Sequence, residues 1–141
     1  MASSAELLSQ AHAELAARCD AVEEAYEFML AYAGQGMTTD SGSSKGTQVR
    51  EFLGKAEVAL GALVSYTAGF AANQDSELVP YKAFMQVIGQ DATAARAAVA
   101  LVLAQESISS QLIDNLNASI HLRALLTDLF LIDEVLKAHK G

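Results

Sequence analysis

The chain has one cysteine (Cys19), one proline (Pro80) and no tryptophan in 141 residues. A lone cysteine excludes an intramolecular disulfide and any zinc site built from several thiolates. A lone proline leaves long stretches free of the residue that most strongly breaks helices. Basic residues are also scarce, with 9 Lys and Arg against 17 Asp and Glu, for a formal net charge of −8. They form no basic stripe that could neutralise phosphates, so neither nucleic acid nor an anionic membrane surface is an expected partner. A run long and apolar enough to cross a bilayer is missing too. Residues 120–136 are the oiliest stretch, yet they carry His121, Arg123, Asp128, Asp133 and Glu134, and a span needs about 20 mostly apolar residues. The opening MASSAELLSQ has no basic region ahead of an apolar core. No secretory signal is expected, and the expected compartment is the cytoplasm.

The composition is 52% apolar and 18% charged, too oily for a disordered chain. Ala and Leu dominate over β-branched residues, which favours helix over strand. The length suits one domain over residues 1–141 with a core that needs no staples. Leu8, His12, Leu15, Cys19, Val22, Tyr26, Met29 and Ala33 recur at spacings of 4, 3, 4, 3, 4, 3 and 4. That unbroken heptad seam predicts a first helix from about Ser4 to Ala33, capped by Ser3 or Ser4. Gly34-Gln35-Gly36 ends it, and residues 36–47 lack any apolar period, so a flexible connection is expected there.

A second helix is predicted from Thr47, with Val49, Phe52, Ala56, Ala59, Leu63, Tyr66 and Phe70 on its seam and Leu53, Leu60 and Val64 widening it. Pro80 suits the first turn of a third. Gly89 either kinks that helix or separates a short extra helix at 80–89. Residues 92–104 are nearly all apolar, with seven Ala in thirteen, as in a buried helix. The last helix is expected from about Ser110 to Ala138, with Lys137, His139 and Lys140 suiting its C-terminal dipole and Gly141 closing the chain. The fold class is therefore all-α, a four-helix up-and-down bundle.

His12 and Cys19 share one stripe of the first helix, and Asp20, Glu23, Glu24 and Glu27 follow closely. The carboxylate-bridged metal bundle needs Glu three residues before each of two histidines. Here Ser9 precedes His12 and Ala118 precedes His121. Two turns of helix also hold His12 and Cys19 about 10 Å apart, too far to share a metal or a proton easily. Glu23, Glu24 and Glu27 match half of the magnesium-binding pattern of helical nucleotide pyrophosphohydrolases. The second half, E-x-x-D, is missing, because Gly54 follows Glu51 and Leu60 follows Glu57 at that spacing. The residues after His121 are out of step with those of histidine phosphotransfer modules. Residues 41–47, SGSSKGT, lack the Gly-Lys-Ser/Thr order of a phosphate loop. Catalytic, cofactor and metal residues are accordingly expected to be none.

Up-and-down packing would gather His12, Tyr66, Phe70, Tyr81 and Phe84 at one end, together with Met85 and Phe130. Aromatics with a few polar tips can line a small-molecule pocket or simply pack. The last helix carries more apolar residues than one seam needs. Leu122, Leu125, Leu129, Ile132 and Leu136 are its candidates for an oligomer interface. The expected function is a non-enzymatic interaction module, a homodimer that also binds a protein partner. The alternative is a small-molecule-binding bundle, or an enzyme, with its pocket at the His12/Tyr66/Tyr81 end.

Overall fold

Residues 2–139 are described by a computed structural model, and every regular element among them is helical. The α-helices are α1 (Ser4–Ala33), α2 (Ser44–Ala71), α3 (Val79–Leu103), α4 (Ser110–Ala118) and α5 (His121–Leu136), with single 3-10 turns at Ser76–Leu78 and Lys137–His139. Lys140 and Gly141, assigned above to the end of the last helix, lie outside the described residues. Helix α1 packs against α2, α4 and α5, while α3 packs against α2 and α5.

Helix α1 starts with a capping box. Ser3 Oγ accepts from Glu6 N–H at 3.2 Å, and the Glu6 carboxylate accepts from Ser3 N–H at 3.4 Å, which satisfies two otherwise orphaned donors. Its buried line is Leu8, Ala11, Leu15, Val22, Ala25, Met29 and Tyr32. The centre of burial is thus turned one residue from the expected seam. His12, Cys19, Tyr26 and Ala33 lie half-buried beside it. The cause is that α1 faces neighbours on two sides, so its stripe centres between them. Ala11 and Ala25 let those neighbours approach closely.

The 36–47 segment differs from the expected flexible connection. Helix α2 begins three residues early, with Ser43 Oγ accepting from Gly46 N–H. Buried Asp40 accepts from Ile108 N–H at 2.7 Å and from Arg50 Nε at 2.5 Å. Arg50 also donates to the carbonyls of Gln105 and Glu106 beyond the end of α3. Ser110 N–H donates to Met37 O, Met37 N–H donates back to Ser110 Oγ, and Tyr32 Oη donates to Ile108 O at 2.7 Å. These bonds tie two loops and the C-terminal end of α1 into one polar clamp. The Arg50 guanidinium holds the Asp40 carboxyl below the usual carboxylate range, and the Ile108 amide adds to it.

Helix α3 runs unbroken through Gly89. A Cβ at that position would sit 2.8 Å from Thr67 Oγ1 of α2, so the glycine permits close approach rather than a kink. The expected single last helix, by contrast, is two. Ile120 has φ +65°, which a β-branched residue adopts only under strain. The run Asn115, Asn117, Ser119 just ahead of it is poor in helix formers. Ser119 Oγ donates to Leu116 O, closing α4 before α5 begins.

Two stability effects follow from this geometry. Ile120 is half-exposed, so Ile120→Gly releases strain with little packing loss. It should raise stability by about 0.5–1.5 kcal/mol, roughly 2–5 °C in Tm, as measured by thermal unfolding. Gly46→Ala should lower stability by about 2 kcal/mol or more in urea titration, because its Cβ would lie 1.8 Å from the Asp40 carbonyl oxygen.

Candidate functional site between α1 and α5

The one-residue turn of the α1 stripe places His12 and Cys19 on the side of the helix that meets α5. There they line a cavity of about 170 Å³. Leu15, Leu129 and Leu136 form its apolar wall, Phe130 flanks it, and Asp20, Glu23 and Asp133 supply carboxylates. His12 Nε2 lies 3.0 Å from Asp133 Oδ1. The imidazole is mostly covered and the carboxylate is half-exposed, so water screens the pair on one side.

Cys19 is pushed up to about 11, first by burial and then by the charges of Glu23, Asp20 and Asp133. At neutral pH the group is a protonated thiol, whereas nucleophilic cysteines have lowered values. The imidazole is engaged with Asp133. The cavity therefore offers a negative field and an apolar wall rather than an activated nucleophile. Among the described residues, no three His, Cys, Asp or Glu side chains come close enough together to hold a metal ion.

The other expected pocket residues go elsewhere. Phe70 is buried in the core, with its ring 6.5 Å from that of Tyr66. Burial raises the Tyr66 phenol, and Glu14 of α1 adds to that shift. The Tyr81 ring meets His139 edge-on at 6.4 Å, and Phe84 packs half-buried against the core. Of these five, only His12 lines the α1/α5 cavity. The interface candidates Leu122, Leu125, Leu129, Ile132 and Leu136 are all buried within the chain's own core. The large apolar side chains that α5 leaves exposed are Phe130, Leu131 and Val135.

A broader groove of about 790 Å³ opens between α2 and α3 over Thr67, Ala68, Ala71, Met85 and Gly89. Among the described residues no ionisable side chain lines it, and it has the form of a shallow trough between two closely packed helices.

One feature escaped the sequence reading. Asp128 of α5 faces Asp91 of α3, and its pKa is raised to about 7, first by burial and then by hydrogen bonding and repulsion from Asp91. Its Oδ2 is shut off from solvent and has no hydrogen-bond partner among the described residues. Burial together with the neighbouring Asp91 charge favours the protonated form of Asp128. The signal available was an acid inside an apolar run, Leu125 to Ile132, opposite another beside Ile88 and Ala92. Sequence alone does not pair them. No family model matches the chain, and neither a curated protein nor a solved structure matches it.

Because the folded pKa of Asp128 lies above its ordinary 3.8, the folded state holds a proton that the unfolded state has lost. Stability thus falls as pH rises from about 4 to 7, and the penalty is complete above that. Asp128→Asn supplies a permanent donor to Asp91. It should be more stable than the parent at pH 8 by about 1–2 kcal/mol, roughly 3–8 °C in Tm, and close to it at pH 4, as read by thermal unfolding across pH.

Proposed function

We propose that the protein is a non-enzymatic helical interaction module that self-associates through α5 and in that form presents a surface to a protein partner. In this reading α4 and α5 act as one interrupted rod, and the five helices make a four-rod, up-and-down bundle. The observation that carries it is the apolar surface left after the core is filled. Phe130 is 52% exposed, Leu131 56% and Val135 42%. Leu131 and Val135 are one turn apart on the same face.

Two contacts give the relation of α3 to α5. Asp91 faces Asp128, and Tyr81 meets His139, so the helices run antiparallel. That register sets exposed Val87 of α3 level with Leu131, extending the patch across two helices. Such a face suits a second copy related by a two-fold axis, since each Leu131–Val135 pair then meets its own equivalent. The protonated Cys19 and the His12–Asp133 pairing support a role without covalent chemistry.

Sedimentation velocity on the full chain tests the reading. A dimer is expected at micromolar concentration. The double variant Leu131→Lys/Val135→Lys should raise its dissociation constant by about tenfold or more, with Tm little changed because both side chains are exposed. A parent chain that stays monomeric to about 100 μM, well above the dissociation constants of specific dimers, would remove the proposal.

A further inference from the structure

We propose that the cavity between α1 and α5 is a binding site for a small organic cation, an alkylammonium of about six to eight heavy atoms. The inference does not rest on self-association, whose test is at Leu131 and Val135; Phe130, at the edge of both, is the residue they share. The argument begins with size. The cavity volume of about 170 Å³ is close to that of engineered apolar cavities of about 150 Å³ that hold one six-membered ring. Nucleotides and sugar phosphates are too large for it.

The wall chemistry then selects the ligand. Leu15, Leu129 and Leu136 present an apolar surface, and Phe130 presents a half-exposed ring beside it. An aliphatic body gains from contact with the first three, and an ammonium gains from a ring face. Three carboxylates, Asp20, Glu23 and Asp133, line the same cavity against one imidazole. That imbalance disfavours an anion and favours a cation. The carboxylates also act at a common point, since each raises the thiol of Cys19 between them. Because no three such ligands converge closely enough for a metal ion among the described residues, the negative charge is spread around the rim. A spread rim suits an ammonium, whose three N–H donors point in different directions.

Among the described residues, the titratable groups facing the cavity are therefore His12, Cys19, Asp20 and Glu23 from α1 and Asp133 from α5. Lys137 lies near enough to feel Asp133, but it is paired with Glu134 at 2.6 Å. Among the described residues, no lysine or arginine lines the rim.

The test is a pair of near-isosteric probes, cyclohexylammonium chloride and cyclohexanol, titrated into the full chain at constant ionic strength and followed by amide NMR. Cyclohexylammonium should give saturable shifts confined to residues 12–23 and 129–136, with a dissociation constant of about 1–10 mM, as suits so few atoms. Cyclohexanol should bind at least about fivefold more weakly. Asp20→Asn/Glu23→Gln should weaken cyclohexylammonium by about fivefold and leave cyclohexanol unchanged. Phe130→Ala, at a half-exposed position, should weaken both. Equal affinity for the two probes overturns the proposal. So does an unchanged affinity in the carboxylate variant, or no saturable shift at this cavity up to about 50 mM, well beyond the expected range.

Discussion

Helix α1 has to bury apolar surface on two sides at once, against α2 on one flank and against α4 and α5 on the other. A single stripe can serve both only if it is centred between them. Its deepest line therefore runs through Ala11, Ala25 and Tyr32 as well as Leu15, Val22 and Met29, and His12, Cys19, Tyr26 and Ala33 of the heptad pattern are turned toward the flanks. This is why His12 and Cys19 meet α5 rather than the middle of the core. The small cavity beside them, its carboxylate rim and the state of the thiol all follow from that rotation.

Two of the places where polar groups enter the interior have opposite consequences. At the clamp, Asp40, Arg50, Tyr32 and Ser110 find complementary partners in the loops around Ile108. Each bond replaces one to water, and the set joins segments about seventy residues apart in the chain. A fully satisfied buried network specifies geometry in this way. Between α3 and α5 the pairing is like with like. Asp91 and Asp128 repel when both are ionised, and protonation of Asp128 relieves the repulsion. The first arrangement holds the ends of the helices in place, and the second ties stability to the protonation of Asp128.

Helix α5 shows how one sequence pattern can serve two surfaces. Its buried line, Leu122, Leu125, Leu129, Ile132 and Leu136, is as apolar as the side chains it exposes, Phe130, Leu131 and Val135. Counting apolar residues detects the surplus but does not say which of them is surplus. That depends on where α1 and α3 lie, because the side chains they cover become core whatever their chemistry.

The all-helical class, the start of α1 and the span of α2 within three residues were legible from 3-4 periodicity and capping chemistry, which act between neighbours along the chain. Continuity of α3 through Gly89 was not, because the glycine answers to Thr67 on another helix. The break at Ile120 was hidden by an apolar run that looks continuous, although the Asn and Ser residues before it weaken the helix. His12 and Cys19 could be singled out from the sequence, but their partner Asp133 lies more than a hundred residues away. Local pattern determines which residues form helices, because the helical hydrogen bond reaches only four residues. Packing decides which face turns inward and which acids become neighbours, because burial and charge act through space.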